Sequence, residues 1–151
     1  MNKKGQNLIE RIIPKNSKIH SKYFYPLLDN AFSKEDLISG IKVLISGQLT
    51  MSKKTRDFEK EFANKLGKKY ALMVNSGSSA NLLVTFAACN PMRNNRFKVG
   101  DEVLVPSVCW PTSLWPLVQA GLKPVFVDVD GDSLNVNSKL LIKKITKRTK
   151  V

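Results

Sequence analysis

The apolar run Tyr70–Val74 enters a turn of small residues, Asn75-Ser76-Gly77-Ser78-Ser79, and leaves it as the helix-forming stretch Ala80-Asn81-Leu82. A strand that passes directly into a helix points to an alternating α/β architecture, because the helix must pack back on the sheet that the strand joins. Gly77 permits a tight turn without a Cβ penalty. Ser78 and Ser79 offer hydroxyls, and the unpaired N–H groups of the new helix point the same way, at its partially positive end. Two readings of the junction stand side by side. It is a cradle for a phosphate monoester, or it is a serine N-cap on an ordinary helix.

The remaining chain keeps the same rhythm. Glu102–Val105 predicts a second strand, stopped by Pro106, and Pro124–Val129 a third. Ser79–Ala88 predicts a helix and Pro91–Lys98 a polar linker. Thr112–Ala120 predicts a short helix ended by Gly121, in which Pro116 fits poorly beyond the first turn. Ahead of the junction, Ser33 caps a helix to about Ser46, with Asp36 in the capping-box position and Gly47 as the stop. Its apolar residues Leu37, Ile38, Ile41, Leu44 and Ile45 share one face. A second helix covers about Lys53–Leu66, with Phe58, Phe62 and Leu66 repeating every fourth residue. Ser138 opens a last helix. The expected fold is α/β, a mainly parallel sheet with helices on both faces. Residues 1–22 read as an irregular extension and 23–151 as one incomplete major domain. Three strands are few for this architecture, so the chain reads as the N-terminal part of a longer protein.

The 151 residues carry a net charge of +13. Lysines crowd both ends, including Lys3, Lys4, Lys15 and Lys18, then Lys139, Lys143, Lys144, Lys147 and Lys150. No arginine–aromatic interleaving and no nucleic-acid motif accompany them, so a solvated surface is preferred over a nucleic-acid interface. No window approaches the roughly 20 apolar residues of a membrane span, and no apolar h-region follows the N-terminus. The cytoplasm is the expected compartment. Cys89 and Cys109 have no metal-ligand spacing and are expected to be reduced, buried thiols; no metal site is predicted. His20, the single histidine, reads as a surface residue.

Four segments in order carry a resemblance: Phe58-Glu59-Lys60-Glu61-Phe62-Ala63 followed by Gly67, then Asn75-Ser76-Gly77-Ser78-Ser79-Ala80, then Gly100-Asp101-Glu102-Val103-Leu104-Val105-Pro106, then Ala120-Gly121-Leu122-Lys123-Pro124-Val125-Phe126-Val127-Asp128-Val129-Asp130. Over about residues 23–151 the chain resembles the DegT/DnrJ/EryC1/StrS sugar aminotransferases. The resemblance implies the large domain of the fold-type I, aspartate aminotransferase-like enzymes. It further implies pyridoxal 5'-phosphate or pyridoxamine 5'-phosphate as cofactor, and a nucleotide-linked keto sugar as substrate, with an amino-acid donor if the reaction is transamination. It places Gly77, Ser78 and Ser79 at the cofactor phosphate and Trp110 on the pyridine ring, where a flat indole covers one face. A core or interface tryptophan is the alternative for Trp110. Thr112 and Ser113 are weaker candidates for the same pocket. Asp128 and Asp130 read as a strand-ending turn, although ligands gather at that end of such sheets.

The family commonly has threonine where this chain has Ser78, which keeps the hydroxyl and the N–H. The form Asn75-Ser76-Gly77-Ser78-Ser79-Ala80-Asn81-Leu82, with Trp110, looks more like the branch of keto-deoxysugar 3-dehydratases. In that branch a histidine replaces the catalytic lysine, and some members add an iron–sulfur cluster. The resemblance puts that residue, and the carboxylate that faces the pyridine nitrogen, beyond Val151. No catalytic residue is therefore expected within the chain, and this polypeptide alone is expected to be inactive. A homodimer is implied for the full-length protein. The alternatives are a basic, non-catalytic binding protein and an inactive remnant of the family.

Overall fold

The computed structural model describes residues 32–151, and Arg11 ahead of them. The chain divides into two compact units, Met1–Met73 and Val74–Val151. The remainder of the predicted 1–22 extension, including His20, lies outside the described residues.

In the first unit, helix α1 spans Lys34–Ser46 and α2 spans Lys53–Lys65. α1 starts at the predicted capping box. The Asp36 N–H donates to Ser33 Oγ at 3.1 Å, and the Ser33 N–H donates to Asp36 Oδ2 at 2.9 Å. The backbone bond from Ser33, then its hydroxyl, holds the Asp36 carboxyl below the usual range. Gly47 ends the helix at φ 70°, a left-handed conformation that glycine adopts without a Cβ clash. The apolar face of α1 forms as expected, yet no residue of the helix is buried among the described residues. On α2, the Phe58 and Phe62 rings stack with centroids 5.6 Å apart, and Ala63 is buried.

The expected strand Tyr70–Val74 does not form. A strand exists only through its ladder, and no described segment pairs with residues 70–74. Tyr70 and Leu72 are exposed, and the Met73 N–H donates to the Glu59 carboxylate at 2.8 Å.

The second unit holds the sheet. Its elements are α3 (Gly77–Cys89), β1 (Glu102–Pro106), a 3₁₀ turn (Pro111–Ser113), α4 (Trp115–Gln119), β2 (Lys123–Val127) and α5 (Ser138–Lys144). β1 and β2 are parallel, in register from Glu102 opposite Lys123 to Pro106 opposite Val127. The chain past α5 comes back to the other edge of β1. There Glu102 N–H donates to Arg148 O at 2.9 Å, Lys150 N–H to Glu102 O at 2.9 Å, and Leu104 N–H to Val151 O at 2.7 Å. The spatial order is 148–151, β1, β2, all running in the same direction. Val103, Val105 and Leu122 form the buried cluster, with Cys89, Phe97, Leu117 and Ala120 packed against it.

Four local expectations are corrected. The predicted 112–120 helix breaks at Leu114 into the 3₁₀ turn and α4, which puts Pro116 in a first turn, where its missing N–H costs nothing. β2 stops at Val127, because Val129 pairs antiparallel with Val136. Asn137, not Ser138, caps α5, its Oδ1 accepting from the Leu140 N–H at 3.1 Å. Cys109 is exposed and Cys89 half-buried, so neither is a fully buried thiol; Cys109 lies in the loop leaving β1, which runs over the surface.

Candidate functional site

The start of α3 is built by Ser76. Its backbone is extended at φ −160°, and its Oγ accepts from the Ser79 N–H at 3.2 Å. The Ser76 hydroxyl also donates to Ser79 Oγ at 3.2 Å, and its carbonyl accepts from the Ala80 N–H at 3.1 Å. The cap therefore uses only some of the donors at this turn. The cap takes the Ser79 N–H, while the N–H groups of Gly77 and Ser78 have no hydrogen-bond partner among the described residues. Sequence reasoning passed over Ser76. The signal for it is a small hydroxyl residue three positions ahead of the amide it caps.

The conformational reason expected for Gly77 does not apply. Its φ is not positive, and a Cβ added there meets nothing within 4 Å. The turn does not require glycine. What glycine leaves is open space directly beside two unpaired donors at a helix N-terminus. That is room for an anionic group. Replacing Ser76 with alanine removes the cap and is expected to cost about 1 kcal/mol. A lowered urea midpoint, followed by tryptophan fluorescence, checks this.

Trp110 follows β1 through the loop Ser107–Cys109 and is 74% exposed, so it is not a core tryptophan. The loop is anchored on both sides. Ser107 N–H donates to Val127 O at 2.8 Å, and Ser107 Oγ donates to Asp128 Oδ1 at 3.2 Å. The Ser113 N–H closes the 3₁₀ turn on Trp110 O at 2.9 Å. Asn81, on the second turn of α3, donates from Nδ2 to the Thr112 carbonyl at 3.3 Å. This bond ties the second turn of α3 to the segment that follows Trp110, beyond the carboxyl end of β1. No hydrogen bond joins Ser78 or Ser79 themselves to that segment. Thr112 serves through its carbonyl.

Asp130 closes a turn, as read from the sequence. Its Oδ1 accepts from the N–H groups of Asp132 and Ser133, both at 3.1 Å. Those two bonds, Ser133 foremost, hold its carboxyl below the usual range. Asp128 braces the ends of both strands by accepting from Ser107 and from its own neighbour, the Val129 N–H, at 2.9 Å. A groove of about 360 Å³ beside α3 is lined by Val74, Ser79, Leu82, Leu83 and Phe86, and does not include Trp110. Among the described residues no group of histidine, cysteine and acidic side chains is arranged to hold a metal, and no helix is long and apolar enough to cross a membrane.

Residues 31–151 match the profile of the DegT/DnrJ/EryC1/StrS aminotransferase family. The chain belongs to this family. It is 40% identical over 126 residues to GDP-4-keto-6-deoxy-D-mannose 3-dehydratase of Yersinia pseudotuberculosis, covering 83% of this chain and 32% of that protein. It is 32% identical over 132 residues to UDP-4-amino-4-deoxy-L-arabinose–oxoglutarate aminotransferase of Shewanella sediminis, covering 87% of this chain and 32% of the relative. The solved structure of the E. coli GDP-4-keto-6-deoxy-D-mannose 3-dehydratase with bound hydrated PLP superposes with a TM-score of 0.75 at 40% identity. That match covers 83% of this chain and 32% of the solved one. The chain thus spans about a third of the length of these DegT/DnrJ/EryC1/StrS relatives. The expected α/β fold, with its parallel sheet, is the fold of this family.

Proposed function

We propose that this chain is the N-terminal portion of a pyridoxal-phosphate-dependent enzyme acting on nucleotide-linked keto sugars, and that it supplies the cofactor's phosphate cup and ring cover. The observation that carries the reading is the capped start of α3. It keeps the Gly77 and Ser78 N–H groups unpaired beside open space, within the same unit as an exposed indole. The donor set suits a phosphate dianion: two amides at the positive end of a helix, with the Ser78 and Ser79 hydroxyls beside them. Trp110 presents a flat apolar face on a loop held by Ser107 and Thr112, suited to cover a heteroaromatic ring and keep water from one side.

When bound, the cofactor supplies an electron sink for bond breaking at the carbon attached to it. The chain's own residues bind and orient. Gly77, Ser78 and Ser79 hold the phosphate, and Trp110 covers the ring. None of the described residues is assigned a proton-transfer role. The portion of the domain over 23–151 is incomplete in this reading and inactive alone. The 3-dehydratase reaction is favoured over transamination by the 40% identity to the Yersinia dehydratase against 32% to the Shewanella aminotransferase. A cytoplasmic homodimer in deoxysugar and surface-polysaccharide synthesis is the setting.

The test uses 4-deoxypyridoxine 5'-phosphate, which lacks the aldehyde and forms no adduct with lysines. Quenching of Trp110 fluorescence in a Trp115→Phe background is expected to saturate with this ligand and not with dephosphorylated 4-deoxypyridoxine. In a separate measurement by calorimetry, Trp110→Ala is expected to weaken binding about tenfold, the effect of losing one stacked ring. Equal binding of the dephosphorylated compound defeats the reading.

A further inference from the structure

The second unit contains one buried carboxylate remote from the α3 start. Glu102, the first residue of β1, is 3% exposed. Its Oε2 accepts from Thr146 Oγ1 at 2.6 Å. Its Oε1 accepts from Arg148 at 2.7 Å, and the Lys123 ammonium lies 3.5 Å away. Lys123 comes from β2, directly opposite in register, whereas Thr146 and Arg148 come from the chain past α5. The neighbouring Asp101 carboxylate turns away, accepting from the Lys98 N–H at 2.8 Å. The backbone of Glu102 is engaged by the same segment, through Arg148 O and the Lys150 N–H.

We infer that Glu102 is a register lock, whose carboxylate selects and holds residues 146–151 on the open edge of β1. The edge of a parallel sheet accepts any extended segment through its backbone, and a one-residue slip costs little unless side chains oppose it. Here the slip is opposed. Thr146 and Arg148 are two apart, and both reach one carboxylate in a single register. Shifting by one residue would put Ile145 and Lys147, or Lys147 and Thr149, in the places of Thr146 and Arg148. Neither pair sets a hydroxyl at Oε2 and a guanidinium at Oε1, and loss of a bond to a buried charge is strongly unfavourable. The lock sits at the amino end of the sheet, at the opposite end of β1 from the loop that carries Trp110. It is therefore separable from cofactor binding.

Amide hydrogen exchange on the full chain reads the lock directly. Glu102→Gln keeps the shape and removes the charge. It is expected to lower protection of the Leu104 and Lys150 amides about tenfold or more, the equivalent of one charge-assisted bond. The Lys123 and Ser107 amides, which bond between β1 and β2 through Asp101 O and Val127 O, are expected to keep theirs. Arg148→Met and Thr146→Val alter the partner segment rather than the buried acid, and are expected to give the same selective pattern even if the Glu102 variant does not fold. Arg148→Lys restores part of it. The Thr146 hydroxyl first, then Arg148 and Lys123, keep the Glu102 carboxyl below its usual range against its burial. The unmodified chain is then expected to hold its protection at and above the ordinary glutamate value and lose it only as pH falls through the lowered one. Unchanged protection at Leu104 and Lys150 in both Glu102→Gln and Arg148→Met overturns the inference. So does an equal loss at Lys123 and Ser107, which would mean general destabilisation.

Discussion

Gly77→Asp is expected to weaken binding of 4-deoxypyridoxine 5'-phosphate about thirtyfold or more while leaving the fold as stable as before, or slightly more so. The two effects separate because they arise from different partners. A side chain at position 77 meets nothing within 4 Å, so none of the surrounding structure resists it. An aspartate in the first turn of a helix also faces the positive end of the dipole, which stabilises by about 0.3–1 kcal/mol. The phosphate, in contrast, would meet a carboxylate where there is now open space. Two charges about 4 Å apart interact by about 4 kcal/mol at an effective dielectric near 20. Solvent at this exposed turn reduces that to about 2 kcal/mol, or thirtyfold. Gly77→Ala adds bulk without charge and is expected to lower affinity far less. Calorimetric titration gives the affinities and thermal melting the stability. If Gly77→Asp binds as the unsubstituted chain does, the phosphate lies elsewhere.

That experiment turns on a point which was only half legible in the sequence. The strand–turn–helix junction announced a helix start at Ser79, and the structure begins it at Gly77. Composition could locate the small residues but not say which of them gives its oxygen to the backbone. Ser76 does so because its own backbone is extended while the residues after it are helical. β1 and β2 were legible as short apolar runs, β1 with a firm stop at Pro106 and β2 without one, so that its end was misplaced at Val129. Tyr70–Val74 is also a short apolar run and forms no strand. Composition records the tendency to extend, whereas the ladder depends on a partner distant in sequence. Likewise Glu102 read as one residue of a motif. Its burial against Thr146 and Arg148 joins positions more than forty apart, which no local pattern can foresee. The break at Leu114, by contrast, was foreshadowed by Pro116, the one residue that conflicted with the continuous helix expected there.

Leu122→Ala is expected to have the largest effect on stability, lowering it by about 3 kcal/mol. Leu122 is 5% exposed and packs with the β1 residues Val103 and Val105 from the position just ahead of β2. Its N–H donates to Leu117 O at 2.9 Å, so the same residue also ties β2 to α4. The buried cluster has three members, and deleting one removes a large share of what holds the sheet. For a unit of this size the loss corresponds to a fall in Tm of about 15 °C. Both tryptophans, Trp110 and Trp115, lie in this unit, so their fluorescence follows its unfolding separately from the helices α1 and α2. Leu44→Ala supplies the contrast, since Leu44 is 66% exposed and its loss is expected to stay within about 0.5 kcal/mol. Because α4 continues from the 3₁₀ turn that Asn81 grips, loosening Leu122 also loosens the support of Trp110. Leu122→Ala is then expected to weaken ligand binding even below its own Tm, by letting the indole leave its position. A melt that shifts no further for Leu122→Ala than for Leu44→Ala would mean that the sheet is held by something other than this cluster.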